Sequence, residues 1–312
     1  MNKEPSLLKK GDVVSIISTA RKVVQKDIQK SIDILLGWGL KVVLAKNIYE
    51  SHHQFSGDDR IRKDSFQELL DSKEIKAIFC ARGGYGTIRL IDELDFKSFI
   101  KYPKWIIGFS DITILHSSLN IMKYCSIHSF MPINYELISK KNLKNLYQIL
   151  FLGKNNIECS PNSLNKTGTV KSEIVGGNLS ILYSLLASKS DIKTDNKILF
   201  IEDVDEYLYH VDRMIISLKR AGKFNNIKAM IVGSMTKMHD NKIKFGMNGF
   251  QVMNTVAQQV KNVPDDVETI VGIAGSGLSM LGVAMGCKIW NKNVKTIHPV
   301  ALSDYVNKNK KQ

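Results

Sequence analysis

Lys76-Ala77-Ile78-Phe79-Cys80-Ala81-Arg82-Gly83-Gly84-Tyr85-Gly86 is the stretch that decides the fold. An apolar run with the look of a strand passes directly into a turn holding three glycines, and the spacing over residues 87–94 then reads as a helix. A strand that ends in a glycine turn opening a helix is a building unit of parallel α/β sheets, whose ligands gather where the strands end. Working outward, the β-branched run Val13-Val14-Ser15-Ile16-Ile17-Ser18 follows Gly11-Asp12 and reads as a buried strand. Residues 24–38 have helical apolar spacing, 41–44 a strand, 58–70 a helix and 105–109 a strand. Strands alternating with helices predict βαβ units and a mostly parallel sheet: an α/β fold.

Between residues 151 and 170 the pattern weakens into turn formers, among them Gly153-Lys154-Asn155-Asn156 and Ser160-Pro161-Asn162-Ser163. The expected organisation is an N-terminal domain over 1–150, a linker over 151–168 and a C-terminal domain over 169–312. In the latter, strands are expected near 169–174, 197–201, 229–232 and 269–271, with helices over about 179–186 and 211–221.

Of the 312 residues, 44% are hydrophobic and 24% charged, a balance that supports a sizeable core and excludes a disordered, collagenous or coiled-coil chain. No stretch reaches the roughly 18 to 20 apolar residues of a membrane span, and Met1-Asn2-Lys3-Glu4-Pro5 does not open a secretory signal. The cytoplasm is the expected compartment, with no membrane partner. Cys80, Cys125, Cys159 and Cys287 form no CxxC or Cys/His pairing, so buried thiols are expected rather than zinc or disulfides. The net charge of +14 raises the question of nucleic acid. The lysines are spread, the one dense run (Asn307-Lys308-Asn309-Lys310-Lys311) reads as a solvated tail, and no nucleic-acid-binding signature is present, so no nucleic-acid partner is expected.

Three segments put special chemistry after apolar strands. Arg82-Gly83-Gly84-Tyr85-Gly86 can expose backbone N–H groups to a phosphate or oxyanion, or can simply make a sharp turn. It lacks the spacing of a dinucleotide loop and the Gly-Lys-Ser/Thr end of a P-loop. Gly108-Phe109-Ser110-Asp111 can hold a serine out at a strand-to-helix elbow, although the last glycine of G-x-S-x-G is absent, or Ser110 or Asp111 can cap a helix. Glu202-Asp203, after the strand over 197–201, can orient an imidazole or be solvated at a loop start. Gly176-Gly177-Asn178-Leu179 reads as a tight turn with Asn178 as an N-cap.

In this order, and together with Gly11-Asp12, Phe55-Ser56-Gly57, Ile112-Thr113 and Asp212-Arg213-Met214, these segments resemble the LD-carboxypeptidase family, the murein tetrapeptide carboxypeptidases and microcin C self-immunity proteins. The likeness runs over nearly the whole chain. It implies a two-domain serine peptidase whose N-terminal domain is like the class I glutamine amidotransferases, with a smaller C-terminal α/β domain. It implies Ser110 as nucleophile, Glu202 as triad acid, and an oxyanion hole from backbone N–H groups of Gly84 and Asp111. The implied substrate is a murein tetrapeptide or related small peptide, which loses its terminal D-alanine without metal or cofactor, and a homodimer is suggested.

The family's histidine segment aligns with Gly275-Ser276-Gly277, so Ser276 occupies the position of the catalytic base. A serine hydroxyl cannot serve as general base near neutral pH, and loss of a triad member costs about 10⁴ to 10⁶ in rate. Ala284-Met285-Gly286 matches the turn that follows. His116, about 9 Å along a helix from Ser110 and most of two turns round, is not placed to substitute, and the sequence does not place His128. The alternatives are a catalytically impaired paralog that binds peptidoglycan-type peptides and a hydrolase of a peptidyl-adenylate antibiotic.

Overall fold

The computed structural model describes residues 2–155, 157, 165, 168–249, 251–253, 270–273 and 283–285. Ser276 lies outside them. The chain divides into two compact units.

In the first unit the strands are β1 (Val13–Ile17), β2 (Lys41–Leu44), β3 (Ile75–Cys80), β4 (Trp105–Gly108) and β5 (Ser126–His128), and the helices are α1 (Gln25–Gly37), α2 (Asp59–Asp71), α3 (Lys97–Lys101), α4 (Thr113–Ile121) and α5 (Lys140–Leu152). All these strands pair in parallel, in the order β2-β1-β3-β4-β5. The β-branched and aromatic residues of β1, β3 and β4 are buried on both faces, as parallel strands covered by helices must be. Each fully buried Ile or Leu there stabilises the fold by about 1.5–3 kcal/mol. The order reverses between β1 and β3, so the crevice where such sheets take ligands opens between the loops that follow these two strands.

The second unit carries β6 (Ile174–Asn178), β7 (Ile198–Val204), β8 (Ala229–Thr236) and β9 (Ile270–Ile273), all parallel and in chain order, with α6 (Leu179–Ser184) and α7 (Leu208–Arg220). Leu208, Val211, Met214, Ile215 and Leu218 make the apolar stripe of α7. Val211, Met214, Ile215 and Leu218 of this stripe pack into one core with Val175, Leu199, Ile201 and Met230. A last strand, β10 (Val283–Met285), returns to the first sheet and pairs antiparallel with β5, which would otherwise be a bare edge. The molecule is thus an α/β fold with a parallel sheet and a second, smaller one. No helix among the described residues is long and apolar enough to cross a membrane. Cys80 and Cys125 are buried free thiols.

Several expectations are corrected. Residues 87–94 form two 3₁₀ turns, Thr87–Arg89 and Ile91–Glu93, rather than a helix. The i→i+3 bond from Leu90 to Thr87 brings these two inward together, because side chains three apart eclipse in that geometry, and Ile91 is buried as well. The strand expected at 169–174 begins at Ile174, and Gly176 and Gly177 lie within it rather than in a turn. A Cβ at Gly176 would stand 1.9 Å from the carbonyl oxygen of Phe200, so glycine is what lets β6 and β7 approach. Asn178 does cap α6, its side chain accepting from Ile181 N at 3.2 Å. The strand expected at 197–201 runs on to Val204 and takes in Glu202 and Asp203. Residues 284 and 285, matched to a turn, belong to β10.

Arg62 of α2 is fully buried beneath the carboxyl edge of the first sheet. Its guanidinium donates to the carbonyls of Thr19 at 2.6 Å, Gly86 at 3.0 Å and Gly57 at 3.3 Å, and pairs with Asp59. It also stands 4.7 Å over the Phe55 ring. Removing a buried charge's partners costs about 3–5 kcal/mol, and Arg62→Met strips the ligand from three carbonyls and a carboxylate at once. The urea midpoint of this variant is expected to fall by a corresponding amount, and Arg62→Lys to recover less than half, because an ammonium cannot fork among four acceptors. A native midpoint in Arg62→Met would refute the assignment.

Candidate functional site

Ser110 follows β4 at the carboxyl edge of the sheet. Its backbone sits in the left-handed region, with φ of 59°, a conformation that costs a non-glycine residue energy and persists only where its surroundings impose it. Phe109 before it is extended, and a 3₁₀ turn over Ser110–Ile112 leads into α4. The elbow read from the sequence is therefore present without the last glycine of the usual pattern.

Two buried side chains impose it. His116 reaches back from α4 and donates from Nε2 to the carbonyl of Gly108 at 2.8 Å; since a carbonyl only accepts, this nitrogen carries the proton, and Nδ1 accepts from the Ser126 hydroxyl at 2.8 Å. Both ring nitrogens are engaged with Gly108 and Ser126, which is why His116 is a brace for the elbow and not a base for Ser110. Burial holds its pKa down at about 4. His128 is buried beside it, its ring centroid 5.9 Å away and 6.1 Å from that of Phe109.

Asp111 is the second. Its carboxylate is buried and accepts from Thr87 N at 2.9 Å, directly after the glycine turn. Burial raises its pKa, opposed by the hydrogen bonds from Thr87 and Gly86. The Thr87 hydroxyl in turn meets that of Thr19 at 2.8 Å. The glycine turn is thus gripped at the Gly86 carbonyl by Arg62 and at the Thr87 N–H by Asp111, the neighbour of Ser110.

The grip brings the turn against the serine. A Cβ at Gly83 would stand 3.3 Å from Ser110 Cβ and 3.5 Å from Asp111 N. Gly84 is exposed with φ of 109°, and a Cβ there would stand 2.7 Å from Arg21 Cδ and Nε. Glycine is favoured here by the backbone, whose positive φ strains any other residue. Of the residues expected at the site, Ser110, Asp111 and the turn carrying Gly84 are brought together.

Glu202, in the second unit, is 2% exposed and pairs in register with Asn178. The register between β7 and β8 shifts between Ile201 and Asp203, so Glu202 sits at a bulge, a device that re-aims a side chain. Asp203 has a separate role that sequence reasoning missed. It accepts from Asn178 Nδ2 at 2.9 Å, Val204 N at 2.8 Å and Ser180 N at 3.0 Å, fixing the start of α6. Burial raises its pKa to about 6 against those hydrogen bonds.

Arg62 was missed as well, though its signal was legible: Ser65, Phe66 and Leu69, three, four and seven residues on, are the buried face of α2. A charged residue on an apolar stripe needs internal partners. Arg21 gave no local signal.

A serine held at positive φ between a parallel strand and a helix, beside a glycine turn at the sheet's carboxyl edge, has the local geometry of the elbow found in α/β folds. The chain belongs to the LD-carboxypeptidase family: residues 14–129 match the LD-carboxypeptidase N-terminal domain and residues 171–273 the LD-carboxypeptidase C-terminal domain. It is 34% identical over 239 residues to the probable murein peptide carboxypeptidase of Bacillus subtilis, covering 74% of this chain and 75% of that protein. The fold matches the crystal structure of muramoyltetrapeptide carboxypeptidase from Oxalobacter formigenes with a TM-score of 0.76, at 22% identity, over 88% of this chain and 92% of that one. It also matches the structure of MccF in complex with glutamyl sulfamoyl guanosine, with a TM-score of 0.76 at 21% identity, over 91% and 94% of the two chains.

The pKa of His116 has a measurable consequence. Unfolded chain takes up a proton at this ring near pH 6.5, which the folded chain refuses down to about 4. Its contribution to stability is therefore full above pH 6.5 and lost as pH falls toward 4, by about 2 kcal/mol between pH 7 and pH 5. Urea unfolding at these two pH values is expected to show a smaller acid loss in His116→Gln than in the native chain; equal losses would place the proton uptake elsewhere.

Proposed function

We propose that the first unit carries the nucleophile of an LD-carboxypeptidase-type hydrolase that removes the terminal D-alanine from murein tetrapeptides. Ser110 is the nucleophile, Glu202 the acid and Ser276 the residue standing in the base position. The observation that carries this reading is the close approach of Gly83 to a serine held at φ of 59° and to the N–H of the next residue.

In the reaction, Ser110 Oγ attacks the carbonyl carbon of the penultimate residue and gives up its proton as the bond forms. The carbonyl oxygen becomes an oxyanion facing the N–H groups of Asp111 and Gly84, donors that are already oriented and so need no rearrangement in the transition state. Collapse breaks the C–N bond, and the amine of D-alanine leaves with a proton. Water then attacks the acyl-serine, releasing the tripeptide carboxylate and restoring the Ser110 hydroxyl. Both proton transfers need a base that titrates near neutral pH, and a hydroxyl at position 276 does not. Binding and oxyanion stabilisation are retained while proton transfer is slow, which supports a peptidase of low turnover. Hydrolysis of an aminoacyl-nucleotide conjugate is the second reading, favoured by the fold shared with MccF bound to glutamyl sulfamoyl guanosine.

The test is D-alanine release from L-Ala-D-Glu-diaminopimelate-D-Ala by the native chain, Ser110→Ala, Ser276→His and the double variant. Restoring the base is expected to raise release by at least about 10³, within the range a triad member contributes. Ser110→Ala should abolish release in both backgrounds. Release that survives Ser110→Ala would overturn the nucleophile, and a native rate equal to that of Ser276→His would overturn the role given to position 276.

A further inference from the structure

The crevice between the loops after β1 and β3 holds a cation that neither the fold nor the elbow uses. Arg21 follows β1 after the buried Ser18-Thr19-Ala20 and is itself exposed. Its backbone is held, the Ser18 hydroxyl donating to its carbonyl and Arg21 pairing with Phe55 in an isolated bridge. Its side chain runs across Gly84, with Cδ and Nε each 2.7 Å, and Cγ 3.0 Å, from where a Cβ of residue 84 would be. Arg62 and Arg89 both spend their charge on Asp59, Arg89 Nε meeting the two carboxylate oxygens at 2.9 and 2.8 Å. Arg21 pairs with no carboxylate among the described residues. Its side chain is exposed and lies across the bare backbone of Gly84.

Arg21, Gly84, Gly83 and Ser110 therefore form a contiguous row: a cation, the turn that faces the oxyanion, and the nucleophile. In a peptide cut one residue from its end, only a nitrogen and a Cα separate the scissile carbonyl from the terminal carboxylate. A substrate with its carbonyl on Ser110 and its oxygen toward the turn must set that carboxylate down close by. A guanidinium presents forked donors that match a carboxylate in pairs. We infer that Arg21 binds the terminal α-carboxylate of the leaving D-amino acid and is the residue that makes this site an exopeptidase. The inference rests on the peptide reading of the site given above and deepens it.

The test uses binding, so that it stands apart from turnover. In the Ser110→Ala chain, calorimetry compares the tetrapeptide L-Ala-D-Glu-diaminopimelate-D-Ala with the same peptide carrying a C-terminal carboxamide, with Arg21 native, Arg21→Lys and Arg21→Gln. Arg21→Gln is expected to weaken the acid by about 10- to 100-fold, the range of a charged hydrogen bond, and the carboxamide little. Arg21→Lys should fall between. Thermal unfolding of the variants, expected to match the parent because the side chain is exposed, separates this from misfolding. Acid and carboxamide binding equally well, or both weakened alike by Arg21→Gln, would overturn the role of Arg21 and leave the peptide reading standing. Binding of neither peptide would overturn both.

Discussion

The first unit depends on one buried guanidinium. Arg62 gives hydrogen bonds to the loops after β1, after β2 and after β3, through Thr19, Gly57 and Gly86, and to Asp59 on its own helix. Burial pulls its pKa down from the usual arginine range, and the charge of Asp59 pulls the other way. A charge taken out of water is tolerated only when its donors are met, and here loop carbonyls and a carboxylate meet them. The return is rigidity in three loops that have no regular structure of their own. The Phe55-Ser56-Gly57 segment has its explanation in the same place: Phe55 covers the guanidinium, Ser56 donates to the Asn47 carbonyl and Gly57 supplies a carbonyl to Arg62.

The elbow is a second constraint laid on the first. Ser110 is in an unfavourable backbone region, and the energy comes from neighbours that lock the chain on either side. Before it, His116 and Ser129 N both address the Gly108 carbonyl; after it, Asp111 addresses Thr87. Because Thr87 adjoins the residue held by Arg62, the Ser110 loop and the glycine turn are parts of one network. That network fixes backbone groups at the carboxyl edge of the sheet before any ligand arrives.

The second unit repeats the economy with a carboxylate. Asp203 holds Asn178, Ser180 and Val204, so that β6 can pass straight into α6. Its neighbour Glu202 is carried at a bulge in the same strand.

By itself the sequence determined the alternation of strands and helices, the parallel sheet, the elbow at Ser110, the cap at Asn178 and the family. These are local properties: β-branched runs, apolar periodicity and glycines placed after strands register how a segment buries its own face. Only the tertiary structure decided that residues 87–94 wind as 3₁₀ turns, that Gly176 and Gly177 belong to a strand, that β10 pairs with the edge of the first sheet, that Arg62 and His116 brace the loops they do, and that Arg21 crosses Gly84. Each of those depends on a partner distant in sequence. The acceptors of Arg62 come from three loops, and Gly176 is glycine because of the Phe200 carbonyl in the next strand. A periodic pattern carries no record of such partners, because the carbonyls that satisfy a buried charge converge only once the sheet has formed.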